Sequence, residues 1–335
     1  MKALVTGATG FLGTAIVARL RADGVAVRAL VRTAQAADAA DERCVGDLCD
    51  PDSLARAVAG VDWVIHAGAR VSTSGAWPEF EAVNVSATEA LIQRAVAAGV
   101  RRVVHVSSLA VYAVPADGAV VSEEGAYDDT ADERGCYARS KLAADRAASA
   151  AARSGAPVTI VRPGLLYGPG RTPPLARRVV ALGPLRVVLC SPRYLLPLAY
   201  VDNVADAIVL AARTAGAVGR AYTIVDVHVR QADYTRLYRQ ACNGRWVAVY
   251  APAVLLRAAA SATERTVRVL GRLPPITRHQ VERTLRSATF DTHRAHDELG
   301  WQPRVPLEEA LHRAFAARRR AGTSNAAAPA HAPAA

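Results

Sequence analysis

The sequence predicts an α/β protein, a doubly wound parallel sheet carrying a smaller C-terminal cap. Three observations predict it. Over the first 160 residues, short β-branched runs alternate with alanine-rich stretches of helical length, the pattern of a parallel sheet covered by helices. The strand runs are almost continuously apolar, as burial on both faces requires. At 335 residues, 51% apolar and 21% charged, the chain can bury a large core without disulfides or metals, and its composition excludes wholesale disorder.

Strands are expected at 3–6, 25–31, 61–66, 103–107 and 158–161, with helices near 11–23, 51–59, 79–98 and 137–154. Asp50-Pro51-Asp52-Ser53 starts the second helix: the aspartate can accept from exposed amides, and proline suits the first turn. These elements make an N-terminal domain of residues 1–162. Beyond Arg162 the rhythm breaks at Pro163, Gly164, Gly168, Pro169, Gly170, Pro173 and Pro174, the composition of a long loop, more often functional than idle. Runs at 186–189 and 221–225 are expected to extend the sheet. The rest of 163–320 should form mainly the cap. Residues 321–335 are low-complexity and expected to be a disordered tail.

Composition narrows the function classes. The net charge is +11, and of the 41 basic residues only Lys2 and Lys141 are lysine. No basic run is interleaved with aromatics, and no zinc or helix-turn-helix pattern occurs, so nucleic acid is not expected as a partner. The longest run free of polar side chains, Trp246 to Leu256, has 11 residues, too few for a membrane span. Five scattered cysteines (Cys44, Cys49, Cys136, Cys190, Cys242) have no metal or disulfide spacing. Together with the absence of a signal-peptide pattern at the start, this predicts a cytoplasmic protein without a metal.

The first strand runs into Gly7-Ala8-Thr9-Gly10-Phe11-Leu12-Gly13 and directly into a helix. Glycines permit the tight turn and close backbone approach, and the helix start offers free N–H groups to a pyrophosphate, as in the Rossmann arrangement. A dinucleotide is the expected cofactor. A second strand ending in Asp or Glu would bind the adenine ribose of NAD; here it ends in Val31-Arg32. A guanidinium there can grip a 2′-phosphate, so NADP(H) is expected, with NAD(H) as the alternative. Asp47, in Gly46-Asp47-Leu48, is placed to bond the adenine amino group.

Tyr137-Ala138-Arg139-Ser140-Lys141 puts a phenol and an ammonium on one helix face. A cation near tyrosine favours its phenolate. A compact ammonium suits that work better than a guanidinium, and Lys141 is the only lysine beyond position 2.

In order along residues 1–315 stand the glycine loop, His66-Ala67-Gly68-Ala69, Val83-Asn84-Val85 and Val106-Ser107-Ser108-Leu109-Ala110-Val111-Tyr112. YARSK (137–141), Arg162-Pro163-Gly164-Leu165-Leu166-Tyr167-Gly168-Pro169-Gly170, Tyr200-Val201-Asp202-Asn203-Val204-Ala205 and Glu298-Leu299-Gly300-Trp301-Gln302-Pro303 follow. Together they closely resemble the extended short-chain dehydrogenase/reductases, the NAD-dependent epimerase/dehydratase superfamily, most of all its 3β-hydroxysteroid dehydrogenase-like branch. The resemblance implies Tyr137 as acid/base, Lys141 as its partner on the nicotinamide ribose, Ser108 as the catalytic hydroxyl and Asn84 as support for a proton-relay water. It implies cofactor contacts at Gly7, Thr9, Gly10, Phe11, Leu12, Gly13, Leu48, Ala67, Gly68, Ala69 and Pro163. Ser107 should face the sheet, and His66 should pack at a strand end.

Members acting on nucleotide sugars usually carry asparagine in the loop after the sixth strand and an arginine six residues before the aspartate of the Val-Asp motif. Here those places hold Pro163-Gly164-Leu165-Leu166 and Leu196, with Arg193 nearby. The run 194–198 is apolar, either pocket wall or cap core. The expectation is hydride transfer between NADP(H) and a secondary alcohol or ketone on an apolar skeleton, sterol-like or long-chain 3-oxo. A nucleotide-sugar epimerase or dehydratase is the alternative, and a non-catalytic dinucleotide sensor the second. Family members commonly dimerise through the helices corresponding to 79–98 and 137–154, so a homodimer is expected.

Overall fold

In the computed structural model, residues 1–322 are described, apart from 35, 38, 73, 114, 174, 176–178 and 270–277. Seven parallel strands form the main sheet. Their spatial order is Glu42–Val45, Ala26–Val31, Lys2–Thr6, Trp63–His66, Arg102–Val106, Val158–Pro163 and Ala221–Ile224. The first strand pairs on both sides, Thr6 opposite Leu30 and opposite His66. Chain order therefore reverses at this strand, opening a crevice at the carboxyl ends where such sheets bind ligands.

Helix Phe11–Ala22 packs its Leu12, Ile16, Val17 and Leu20 on one face of the sheet, with helix Val201–Arg213 beside it. Leu54, Leu91, Ile92 and Ala148 cover the other face. Asp50 caps helix Pro51–Val58 as its sequence predicts, accepting from the amides of Asp52 (3.2 Å) and Ser53 (3.0 Å), an arrangement contributing about 1 kcal/mol.

The C-terminal region departs from expectation in three places. Strand Ala221–Ile224 does extend the main sheet, beside Val158–Pro163. The run expected at 186–189 does not: Leu185–Val188 pairs with Val179–Leu182 and Val247–Tyr250 in a separate three-stranded sheet. Hairpin closure across Gly183-Pro184 gives it a local partner, which alternation alone cannot distinguish from the edge of the main sheet. The loop expected after Arg162 contains a short strand, Leu165–Tyr167, parallel to Leu195–Tyr200. Helix Leu307–Gly322 runs two residues into the expected tail, and the remainder of that tail lies outside the described residues.

Two sequence motifs prove to be pins. Asn203 Oδ1 accepts from the amides of Arg304 and Val305, both at 3.0 Å, and its backbone carbonyl accepts from Trp301 Nε1 at 2.9 Å. Its amide nitrogen donates to Asp226 Oδ2 at 3.0 Å. Asp226 also accepts from the Tyr200 amide, while its Oδ1 is buried with no partner among the described residues. Burial raises this carboxyl to about 6.

Candidate active site

The crevice is a cavity of about 540 Å3, within the usual range for a small-molecule site. Every cofactor contact expected from the sequence lines it, from the glycine loop through Arg32, Asp47, Leu48 and Ala67-Gly68-Ala69 to Pro163. Ser108, Tyr137 and Lys141 line the same cavity, and Asn84 does not. Sequence reasoning assigned no site role to Arg70, Val71, Val83, Leu166 and Arg171; Val83 and Leu166 stand inside motifs it quoted, whereas Arg70, Val71 and Arg171 lie outside them.

The glycine loop fits a dinucleotide phosphate for steric reasons. Gly7 has φ +69°, and a Cβ there would stand 2.7 Å from the Gly68 nitrogen. A Cβ on Gly13 would stand 1.9 Å from the Gly7 carbonyl oxygen. The loop is thus closed by bare backbone contact. Gly10 caps the following helix without a side-chain hydrogen bond, leaving the first amides free for an anion. Behind the loop, His66 bridges Thr6 Oγ1 (2.7 Å) and Thr88 Oγ1 (2.9 Å). Burial holds that imidazole down at about 3, so it is neutral and structural.

Helix Cys136–Arg153 carries the reactive pair. Tyr137 is half-buried, and its phenol shares the cavity wall with the Ser108 hydroxyl. Ser108 Oγ accepts from the Ala110 amide at 3.1 Å, which leaves its own proton to donate. Burial raises the Tyr137 pKa, opposed by the charges of Arg171 and Arg134 and by the nearby Ser108 hydroxyl. Lys141 is 4% exposed and donates to the Val106 carbonyl at 2.7 Å. Burial lowers it to about 8, while Asp145 pulls upward.

Asn84 lies in a π-helical turn, Glu81–Ser86, inside the segment expected as one continuous helix. Such turns often mark functional sites. Its Oδ1 accepts from the Arg70 amide (2.7 Å), and its Nδ2 donates to Arg70 O (3.1 Å) and Ser140 Oγ (2.8 Å). It thereby ties the loop after the fourth strand to the helix of Tyr137.

Beneath the site lies an ion pair that sequence reasoning did not find. Arg162 donates to Asp145 through Nε (2.9 Å) and Nη2 (2.7 Å), and also to Tyr112, Tyr127 and the Glu123 carbonyl. Ser107, which is buried, donates to Asp145 at 2.5 Å, and Tyr127 does so at 2.7 Å. The one available hint was position: Asp145 follows Tyr137 and Lys141 at helical spacing. The apolar run 194–198 is core, Leu196 and Leu198 packing with Tyr167, Tyr200 and Tyr234. Neither it nor Arg193 lines the cavity.

Comparison with known proteins assigns the family. Residues 3–224 match the model of the NAD dependent epimerase/dehydratase family. A 2-alkyl-3-oxoalkanoate reductase of Stenotrophomonas maltophilia (strain K279a) is 31% identical over 93% of this chain and 98% of its own. A 3 beta-hydroxysteroid dehydrogenase/Delta 5-->4-isomerase of Mycobacterium tuberculosis (strain ATCC 25618 / H37Rv) is 28% identical over 92% and 88%. The solved structure of MoeE5 in complex with UDP-glucose and NAD superposes with a TM-score of 0.71 at 27% identity, covering 96% of this chain and 99% of that one. With glycine loop, serine, tyrosine and lysine gathered in one cavity, the chain belongs to the NAD-dependent epimerase/dehydratase family, the extended short-chain dehydrogenase/reductases, and is a nicotinamide-dependent oxidoreductase.

Proposed function

We propose that the protein transfers a hydride between NADP(H) and a secondary alcohol or ketone on an apolar skeleton, a long-chain 3-oxo compound or a sterol. The observation that carries this reading is the gathering of Ser108, Tyr137 and Lys141 in the wall of the glycine-loop cavity. The glycine loop, Asp47, Ala67-Gly68-Ala69 and Lys141 would hold the cofactor, with Arg32 on the 2′-phosphate. The nicotinamide supplies or accepts the hydride. In reduction, Ser108 and Tyr137 donate hydrogen bonds to the ketone oxygen, drawing charge onto it. Tyr137 then gives up its proton, which its raised pKa keeps in place at neutral pH. Lys141 steadies the resulting phenolate. Asn84 positions Tyr137 through Ser140, whose hydroxyl donates to the Tyr137 carbonyl at 2.8 Å.

The named relatives support a ketone substrate, and Val71, Val83 and Leu166 supply apolar wall. The MoeE5 complex favours a second reading, action on a nucleotide sugar. NADPH oxidation against a panel of long-chain 3-oxo acids, 3-ketosterols and UDP- and dTDP-sugars separates the two. Reduction of the first groups supports the proposal, and turnover of the sugars alone refutes it.

The same reading makes the protein a cytoplasmic homodimer, joined through the segments 79–98 and 137–154. In helix Cys136–Arg153, Ala144 and Ala148 are buried within the chain, whereas Ala143, Ala147 and Ala151 remain half-buried. These small side chains permit close approach of a second helix. Light scattering at micromolar concentration should give twice the chain mass, and a monomer would refute the assembly. Among the described residues no helix is long and apolar enough to cross a membrane.

A further inference from the structure

Three arginines line the cavity, and their surroundings differ. Arg70 is engaged by Glu79 at 2.5 Å. Arg32 follows strand Ala26–Val31, where the 2′-phosphate contact is proposed. Arg171 lies on the Tyr137 side, in a lining shared with Gly164 and Leu166, and its charge acts on the Tyr137 phenol. Its backbone is fixed by reciprocal hydrogen bonds with Gly168, both 3.0 Å. Its guanidinium carbon stands 5.5 Å from the centre of the Phe11 ring. Among the described residues, no carboxylate or other hydrogen-bonding side chain engages that guanidinium. Arg134, the other cation acting on Tyr137, is already held by Asp128 at 2.7 Å.

A half-buried guanidinium without a counter-ion, in a wall of otherwise mostly apolar groups, is built to receive an anion. From this geometry we infer that Arg171 binds the carboxylate of a 3-oxo or 3-hydroxy acid whose third carbon stands at Ser108 and Tyr137. This rests on the hydride-transfer reading and narrows its substrate class. The planar fork matches a carboxylate with two parallel hydrogen bonds. One free guanidinium suits one carboxylate better than a nucleotide diphosphate, which would bring two charges to this side. Of the groups that pull the Tyr137 pKa down against burial, Arg171 is the strongest. The anion site therefore lies within electrostatic reach of the reacting oxygen, as the single carbon between ketone and carboxylate demands.

The pyrophosphate of the cofactor offers similar chemistry, because Phe11 opens the helix that faces it. The test separates the two sources. Arg171→Met and Arg171→Lys are compared with wild type on a long-chain 3-oxo acid and on its methyl ester, and NADPH and acid binding are measured by calorimetry. The inference predicts that Arg171→Met lowers the acid-to-ester ratio of kcat/KM by about 10- to 150-fold, the scale of a charge-assisted hydrogen bond. Arg171→Lys should recover part of the loss, and the NADPH Kd should stay within about twofold. An unchanged ratio overturns the inference, as does a large rise in NADPH Kd, which would place Arg171 on the cofactor. If wild type reduces neither compound yet binds the acid through Arg171, hydride transfer fails while the anion site stands. Absence of Arg171-dependent acid binding overturns the anion site itself.

Discussion

Replacing Asp145 by alanine should destabilise the protein more than any single change at the cavity wall. Asp145 is 0% exposed and Arg162 2% exposed. The carboxylate accepts from Ser107, Tyr127, Arg162 Nε and Arg162 Nη2. Without it, a guanidinium and two hydroxyls lose their acceptor in the interior. Breaking a buried pair from one side costs about 3 to 5 kcal/mol, against a total stability of about 5 to 15 kcal/mol. With an m-value of about 3 kcal/mol/M, the urea midpoint should fall by about 1 to 1.7 M. The double variant Asp145→Leu/Arg162→Met removes both charges and should lose less than Asp145→Ala alone. Urea unfolding followed by circular dichroism measures both. A loss below about 1 kcal/mol in Asp145→Ala would refute the claim that this network anchors the helix of Tyr137 and Lys141.

Cofactor preference should reverse in Val31→Asp/Arg32→Ala, which regains a ribose contact and repels the 2′-phosphate; calorimetry with both cofactors measures this, and equal wild-type affinities would refute the role of Arg32. Asp226 predicts a pH dependence of stability. Its folded carboxyl is raised to about 6, whereas the unfolded group titrates near about 3.9. Its contribution is fully present below the unfolded value and is lost as pH rises through about 6. Asp226→Asn should therefore be more stable than wild type at pH 8, on the order of 1 to 3 kcal/mol, and should lose that advantage at about pH 4. Urea midpoints at the two pH values check this, and a parallel shift at both would contradict it.

The legible parts of this molecule were those with a local signature. The glycine loop, the Tyr137–Lys141 spacing and the Asp50 cap depend on residues within one or two turns of each other. The five strand runs expected over the first 160 residues were readable because both-sided burial leaves few polar positions. The third strand, Glu42–Val45, reads ERCV and alternates between half-buried and exposed, so as a strand it had no apolar run to mark it. The apolar stretch at 186–189 was readable as a strand, but not as a member of a second sheet. Partners distant in sequence were invisible: Arg162 with Asp145, Arg171 with Phe11, and Asn203 with the backbone at 304–305. Leu196 and Leu198 looked equally suited to pocket or core, and only packing decided for the core.

Deuterium transfer tests the central claim most directly. The protein is incubated with NADPH deuterated at the nicotinamide C4 and a long-chain 3-oxo acid, and the product is analysed by mass spectrometry. The account predicts one deuterium on the new carbinol carbon. In Tyr137→Phe, transfer should slow by at least about 100-fold, the scale of a positioned proton donor, with NADPH affinity near wild type. A product without deuterium, or undiminished transfer in Tyr137→Phe, would contradict it.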